Sequence, residues 1–346
     1  MYRLDLGVVF LVAFGLGPWR ILRTDFGALL WTAVVLMGAH YFSEWRYWYP
    51  GPAIAAFIEP WAGRLRAFMQ NRIDQSATGM LHGFLYGVLL GDRSELTSFF
   101  QEGFRTFGIS HMLAVSGFHV GFWVVLGRPL KWLLRLRRWR GLYVLLMGTF
   151  LCIYAAMVGS GPSVVRAVGT FCFAAIALQQ NWRISPLHWP LLVAWLMWCY
   201  DPEVVQRVGF QLSFSAVCGI LIGLNGLPAA EFLQSWQGES LVGSKFKVLV
   251  PVQVSLSAWT ATLPLVMHHF GGASPYFLIG NLLIVPLFVV YIWSALLVLL
   301  FGPLLPCWAL DVWNSSFERW VSWVLKTAEE INRQGLLESF FQACLR

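Results

Sequence analysis

The chain has 346 residues, of which 58% are hydrophobic and only 12% are charged, whereas soluble domains carry about 25% charged residues. This composition excludes a soluble globular protein, and it also excludes a disordered chain, which would be poor in hydrophobic residues and rich in charge. The 24 lysines and arginines exceed the 17 acids, and basic cytoplasmic loops of a membrane protein explain that excess without a nucleic-acid partner.

Continuous apolar runs predict an all-α, polytopic integral membrane protein. A membrane β-barrel would instead alternate apolar and polar residues. A spanning helix needs about 20 apolar residues, so the shorter runs at 6–18, 77–91 and 187–200 are candidates for re-entrant or discontinuous helices. We predict eight to eleven helical segments, some broken, within the runs 6–18, 26–43, 77–91, 108–127, 141–159, 164–180, 187–200, 208–226, 248–268, 275–301 and 303–325.

Two further segments predict amphipathic helices that lie at the membrane interface. The first, near 61–75, follows Pro60, a residue that suits the first turn of a helix. The second lies near 95–107. In both segments apolar side chains recur at helical spacing beside charged ones, as in helices that lie on a bilayer. The two stripes consist of Trp61, Leu65, Phe68 and Met69, and of Leu96, Phe99, Phe100, Phe104 and Phe107.

A basic run at 128–140 predicts the orientation of the chain. It contains six lysine and arginine side chains and no acid. Because basic loops are enriched on the cytoplasmic side, we place this run inside, together with the loop that contains Arg20 and Arg23. Segment 44–76 is then outside, and 108–127 crosses inward. Leucines between the charges favour a surface helix on anionic lipid, with nucleic-acid binding as the alternative for this run.

The densest polar group inside an apolar run is FGISHMLAVSGFHVGFW at 107–123. Polar groups in hydrocarbon are costly and mark functional sites, so we interpret this segment as the lining of a hydrated passage, with His111 and His119 on one helix. The alternatives are a Ser116–His119 nucleophilic pair, which needs an orienting acid, a metal site, which needs more ligands, and simple hydrogen bonding between helices. The candidate residues are Ser110, His111, Ser116 and His119, with Gly117 and Gly121 leaving room for close backbone approach.

Later segments add polar residues to apolar runs. Arg166 lies about one turn into a helix that begins near Pro162, and its guanidinium either snorkels to the interface or faces inward and contacts an anion. Prolines such as Pro264 predict broken helices, which membrane proteins tolerate where backbone lines a cavity. The further candidates for the passage are Ser163, Arg166, Gln211, Ser213 and Asn281.

Several kinds of chemistry are missing from the sequence. There is no C-x-x-C pair, phosphate-binding glycine loop, Walker motif or acidic catalytic pair, so we expect no metal site and no cofactor. Asp92 in LLGDRSEL is interpreted as a helix terminator or cap. On residues alone, the chain is a membrane protein with a polar interior, either a channel or a transporter.

Five blocks together resemble the membrane competence domain of the ComEC family, whose members bring single-stranded DNA across the cytoplasmic membrane during natural transformation. The resemblance implies a DNA channel core that acts with an external DNA receptor and with a cytoplasmic helicase or DNA-binding protein. A small-molecule or lipid transporter on the same core, or an intramembrane hydrolase, remain alternatives. The blocks are LLGDRSEL, FRTFGISHMLAVSGFHVGF, PSVVRAVGTF, DPEVVQRVGFQLSFSAVCGIL and SAWTATLPLVMHHFGGASPYFLIGNLLIVPLF, in this order.

The same resemblance predicts the domain organisation. We expect an N-terminal membrane hairpin with an interfacial helix at 1–76, a competence membrane domain at 77–325 and a short tail at 326–346. The OB-fold-like and metallo-β-lactamase-like domains of full-length members are not expected, because 44–76 is too short for a five-stranded barrel and no H-x-H-x-D-H pattern occurs. DNA degradation would then need a separate nuclease. The expected location is the bacterial inner membrane, with several crossings.

Overall fold

The computed structural model describes residues 51–133, 140–180, 188–224 and 246–333. Within these ranges the chain forms helices joined by turns and contains no strand, which confirms the all-α prediction. The apolar runs predicted at 6–18 and 26–43, with Arg20 and Arg23 between them, lie outside the described residues.

The first five described helices precede, overlap or follow the polar segment 107–123 in the chain. Helix α1 is longer than predicted, because it starts before Pro60 and passes through it, although an interior proline removes a backbone hydrogen bond and usually kinks or breaks a helix. The helices are α1 (Gly51–Ser76), α2 (Gly79–Leu85, continued by a π turn at Tyr86–Leu90), α3 (Ser98–Thr106), α4 (Gly117–Leu126) and α5 (Arg128–Leu133).

Eight helices follow in the rest of the described chain. Helix α7 begins at Pro162, as predicted. The break predicted at Pro264 is wrong, because the tenth helix continues through that residue. These helices are α6 (Arg140–Met157), α7 (Pro162–Gln179), α8 (His188–Tyr200), α9 (Val208–Gly223), α10 (Phe246–Phe270), α11 (Phe277–Ile279, continued by a π turn at Gly280–Ile284), α12 (Val285–Phe301) and α13 (Cys307–Arg333).

Three of the described helical segments are long and apolar enough to cross a membrane, judged by length and composition: Pro162–Gln179, Val250–Phe270 and Phe277–Leu304. Shorter apolar helices coincide with other predicted runs. They are Gly79–Leu90, Gly141–Met157 and Val208–Gly223.

The main hydrophobic core lies among α1, α2, α3, α12 and α13. Phe84 of α2 is fully buried, and its ring centroid lies 5.2 Å from that of Phe288 and 4.8 Å from that of Phe317. Aromatic pairs at such distances stabilise a core by about 0.5–1.5 kcal/mol beyond their buried area. A second cluster around Leu151 and Val164 joins α4, α6 and α7, and it holds α4, which begins within the polar segment.

The two predicted amphipathic stripes have different surroundings. Most of the stripe of α3 is buried in the main core, because α13 packs closely against Gly103; only Phe99 remains 55% exposed. In α1, Met69 is buried, whereas Trp61 and Phe68 are exposed to about half of their surface. The guanidiniums of two arginines lie over these two rings.

Helices α9 and α10 pack closely through small residues. A Cβ atom at Gly219 would come within 2.6 Å of the carbonyl oxygen of Ser257, so only glycine fits there. The Ser215 hydroxyl also donates a 2.6 Å hydrogen bond to the carbonyl oxygen of Ala261. Small residues that bring two backbones together, and hydroxyls that bond across the contact, are typical of membrane helix pairs.

Candidate functional site

Ser116 and His119 form the N-terminal cap of α4. The Ser116 hydroxyl accepts a 3.3 Å hydrogen bond from the backbone N–H of Phe118, and His119 Nδ1 accepts a 3.1 Å hydrogen bond from the backbone N–H of Ser116. This is a capping box in which histidine replaces the usual glutamate or glutamine. Because Nδ1 is the acceptor, a neutral His119 carries its proton on Nε2. That buried atom has no partner among the described residues.

Arg166 of α7 reaches both α9 and the start of α4. Its Nε donates a 2.7 Å hydrogen bond to the hydroxyl of Ser213, and its guanidinium lies 5.8 Å from the centroid of the Phe214 ring. Its Nη2 is so close to Gly117 that a Cβ atom there would come within 2.7 Å of it. The structure thus brings Ser116, Gly117, Arg166 and Ser213 together from three helices.

The electrostatics at this point favour an anion. In the part of the chain that the structure describes, no carboxylate forms an ion pair with Arg166. The guanidinium instead faces the N-terminus of α4, where the helix dipole adds positive potential. An anion that binds Arg166 at this point would therefore also meet the positive end of α4.

Two other predicted residues lie on the same helices. Ser163 is half-buried in the first turn of α7, three residues before Arg166. Gly121 lies one turn beyond Gly117 on α4 and is half-buried. Ser163 stays a predicted passage residue, and Gly121 stays a predicted site of close backbone approach.

Gln211 belongs to a different contact. Its Oε1 lies 2.7 Å from His269 Nε2 on α10, and its amide donates a 2.9 Å hydrogen bond to the carbonyl oxygen of Val205. These bonds join α9 to the end of α10 and to the turn before α9. Gln211 is therefore turned away from Ser213, which bonds Arg166.

Ser110 and His111 do not continue the helix that carries His119. They lie in a separate short 3₁₀ turn, Ser110–Met112, and both are exposed. The prediction of one helix for both histidines is wrong, because residues 113–116 leave the helical conformation and Ser116, with φ of −134° and ψ of 178°, starts α4 as an extended N-cap. Asn281 lies in the π turn after α11, where Gly280 packs on the backbone just before this 3₁₀ turn.

Asp92 caps a turn, as its place in LLGDRSEL indicates. Its carboxylate accepts hydrogen bonds of 3.1 Å and 2.7 Å from the backbone N–H and the hydroxyl of Ser94, and these bonds lower the pKa of Asp92. Arg66 lies 3.8 Å away and donates to the carbonyl oxygen of Met157. The LLGDRSEL block thus ties α1 and α6 together and takes no part in the Arg166 cluster.

Sequence analysis missed a second polar network next to this block. His82 Nδ1 lies 2.7 Å from a carboxylate oxygen of Glu95, and its Nε2 lies 3.0 Å from one of Asp74. The Tyr86 hydroxyl also donates a 2.7 Å hydrogen bond to Asp74. A histidine satisfies two carboxylates at once only when both ring nitrogens carry protons. The network therefore holds a charged His82 and joins α2 to α1 and to the loop before α3.

The described residues hold no group of three histidine, cysteine, aspartate or glutamate side chains placed to bind a metal ion. They do form two open grooves with basic linings. One, of about 290 Å³, is lined by Arg93, Ser98, Gln101, Glu102, Arg105 and Ser110; we call it the α3 groove. The other, of about 510 Å³, is lined by Ser315, Glu318, Arg319, Ser322, Trp323 and Lys326; we call it the α13 groove.

Comparison with known families gives one match over most of the chain. The sequence model of the family described as Competence protein matches residues 88–344. The match includes α4, α7 and α9, which contribute the Arg166 cluster. No solved structure matches the chain.

Three curated relatives show the same similarity. ComE operon protein 3 of Bacillus subtilis is 24% identical over 60% of this chain and 24% of its own length. Recombination protein 2 of Haemophilus influenzae is 24% identical over 65% of this chain and 29% of its own length. Competence protein ComA of Neisseria gonorrhoeae is 28% identical over 56% of this chain and 28% of its own length. The chain thus spans 24–29% of the length of these relatives.

Proposed function

The chain belongs to the competence-protein family, and from that premise we propose that it is the membrane channel core through which single-stranded DNA is taken up in natural transformation. The relatives named for competence support a role in DNA uptake. Three candidate spans and three shorter apolar helices support a polytopic placement in the bacterial inner membrane. In this role the chain works with an external DNA receptor, a cytoplasmic helicase or DNA-binding protein and, for degradation of the second strand, a separate nuclease.

The observation that carries this proposal is the position of Arg166. An unpaired guanidinium within a membrane costs about 2.5–17 kcal/mol, depending on how much water and lipid relieve it. Here Ser213 and the Phe214 ring hold the guanidinium, while its Nη2 faces Gly117 at the start of α4. The planar fork of arginine matches the oxygens of a phosphate. A phosphodiester that passes this point would neutralise Arg166 and the helix terminus together.

The proposed orientation follows from the charges in the sequence. Arg128 and the basic run after it are on the cytoplasmic side, because such runs rarely cross a membrane. The segment before it, which contains α4, then leads from the outer face inward. In this orientation α3 is at the outer end, and Arg166 faces the polar interior near the outer mouth. Ser110, His111 and Asn281 are proposed to line the outer part of the same passage.

A transporter for a phosphate-bearing lipid or small molecule is the second candidate, since Arg166 would bind its phosphate equally well. The hydrolase alternative is weaker, because the Ser116 hydroxyl accepts the Phe118 N–H and His119 Nδ1 accepts the Ser116 N–H. The orienting acid of a catalytic triad is also not seen, because His119 Nε2 has no partner among the described residues.

Gene deletion in the bacterium that carries the chain tests the proposal. We expect transformation by added duplex DNA to fall to background and to be restored by the wild-type gene. Electroporation of the same DNA, which bypasses uptake, is the control for intact recombination and should be unaffected. Normal transformation after deletion would contradict the DNA channel and leave the lipid or small-molecule transporter as the better account.

A further inference from the structure

The α3 groove has the chemistry of a phosphodiester site. Two arginines, Arg93 and Arg105, line it together with hydroxyl and amide donors from Ser98, Gln101 and Ser110. Arginine, serine and glutamine side chains are the usual partners of phosphate oxygens in nucleic-acid complexes.

The one acidic residue of the groove does not block an anion. Glu102 lies 3.9 Å from Arg105, and both side chains are more than half exposed. Exposed ion pairs of this kind contribute little stability, and salt screens them further. Arg93 is exposed and has no ion-pair partner among the described residues. Both guanidiniums can therefore turn toward a phosphate.

An aromatic ring borders the same surface. Phe99 is adjacent to Ser98 and lies three residues before Glu102 on α3, so it flanks the groove face of this helix. Its side chain is 55% exposed, while the other aromatic residues of its stripe are buried. Proteins that bind single strands without sequence preference combine basic grooves with exposed rings on which bases stack. The α3 groove and Phe99 together provide both parts.

The groove also connects to the proposed passage. Ser110 forms part of its wall and belongs to the 3₁₀ turn that precedes α4. The α13 groove has a similar number of basic residues and an exposed tryptophan, but all of its lining residues come from one helix and none from the 107–123 segment. Continuity with the passage therefore favours the α3 groove as the binding site.

We propose that the α3 groove binds the phosphodiester backbone of single-stranded DNA at the outer mouth and delivers the strand to the Arg166 cluster. This inference rests on the proposed function, and it adds a loading site and a partner class to it. The volume of about 290 Å³ is near the lower limit of about 300 Å³ for small-ligand sites. The groove therefore holds about one nucleotide unit at a time, with the neighbouring base on Phe99.

Oligonucleotide binding by the full chain in phosphatidylcholine nanodiscs tests this proposal. The probe is a fluorescein-labelled oligothymidylate of about 16 nucleotides, within the range of known single-strand sites, and anisotropy is measured over a series of salt concentrations. The groove variant is Arg93→Gln with Arg105→Gln. The matched control is Arg319→Gln with Lys326→Gln, which removes two basic residues from the α13 groove. Thermal unfolding of each variant confirms that it is folded.

We expect the groove variant to bind the oligonucleotide at least about tenfold more weakly, and the slope of log K against log salt to become shallower by about 0.7, because the groove holds one phosphate and each phosphate contact on a single strand contributes about 0.7. Phe99→Ala should weaken binding by about tenfold with the slope unchanged, since stacking involves no counterion release. The α13 control should match wild type.

Three results would overturn the proposal. The first is a groove variant with wild-type affinity and slope. The second is an α13 control that loses as much binding as the groove variant. The third is a double arginine substitution that removes bound phosphatidylglycerol, detected by native mass spectrometry, but leaves oligonucleotide affinity intact, which would make the occupant a lipid. In each case a transformation defect on gene deletion would still support the channel, so the two proposals fail separately.

Discussion

Arg166 Nε donates a 2.7 Å hydrogen bond to the hydroxyl of Ser213, and this bond joins α7 to α9 within the Arg166 cluster. It fixes one edge of the guanidinium and leaves the two Nη atoms directed toward other partners. One of them, Nη2, faces Gly117 at the start of α4. Three helices thus meet at the Arg166 guanidinium, so a substitution at its contacts on α4 or α9 should change the position of this cation.

The first prediction concerns the cation itself. Replacing Arg166 by alanine removes a charge-assisted contact to phosphate that contributes about 1.5–3 kcal/mol, so transformation should fall by roughly tenfold to a hundredfold. Arg166→Lys should restore only part of it, because lysine keeps the charge but loses the bidentate fork. Arg319→Ala, an exposed arginine on α13, is the control. If Arg166→Ala kept full transformation at a normal protein level, the phosphate role would be wrong, and a guanidinium that snorkels to the membrane interface would be the better account of Arg166.

The second prediction concerns the space beside that cation. In Gly117→Ala the new methyl group would meet Arg166 Nη2, and the flexible side chain would move aside at little cost to folding. Transformation should therefore fall although the protein level and the unfolding temperature stay near wild type. Gly209→Ala on α9 is the matched control, because no described atom lies within 4 Å of the added Cβ. Equal transformation by the two variants would contradict the proposed role of the Gly117 contact.

The sequence predicts helical segments well because their signals are local. Proline at the start of α7 and the continuous apolar runs depend on residues within one or two turns. Pairing between segments is a different matter. The contacts of Arg166 with Ser213, and of Gln211 with His269, join residues 47 and 58 positions apart, and no periodicity indicates which partner a side chain will meet.

Two further features could not be predicted, because their sequence patterns do not indicate which parts of the chain pack together. An apolar stripe such as that of α3 has the same spacing whether it faces lipid or a neighbouring helix, and only the packing of α13 decides it. Asp74, His82 and Glu95 lie on two different helices and a loop, so their network forms only when α2 folds back on α1.

The third prediction concerns the α9–α10 pair. A valine at Gly219 would force its Cβ atom against the carbonyl oxygen of Ser257, and backbone cannot move aside as a side chain can. Overpacking of this kind costs about 1–3 kcal/mol, so the unfolding temperature in detergent should fall clearly. Gly148→Ala in α6 is the control, because its added Cβ would meet only Cys172 Sγ at an ordinary 3.5 Å. An unchanged unfolding temperature for Gly219→Val would contradict this close packing.

The fourth prediction concerns orientation. Of two reporters fused after Arg140, only the one that works in the cytoplasm should be active, because the basic run at 128–140 stays on the cytoplasmic side. A second fusion in the loop after α1, at Ala77, should show the outer location. Alkaline phosphatase and green fluorescent protein fusions at both positions give opposite signals for the two sides. A periplasmic signal after Arg140 would reverse the topology and move the α3 groove to the cytoplasmic face.

The last prediction concerns acid stability and the network around Asp74. Hydrogen bonds from His82 and then from Tyr86 lower the pKa of Asp74 below its usual 3.8. A carboxyl group with a lowered pKa in the folded state stabilises the fold above the unfolded-state pKa of about 3.9, and this contribution is lost as the pH falls through the folded-state value. Asp74→Asn should therefore lower the unfolding temperature at pH 6 and flatten its decline toward pH 3. Asp311→Asn, an exposed aspartate outside the network, should retain the wild-type pH profile, and a wild-type profile for Asp74→Asn as well would show that the network does not stabilise α1 against α2.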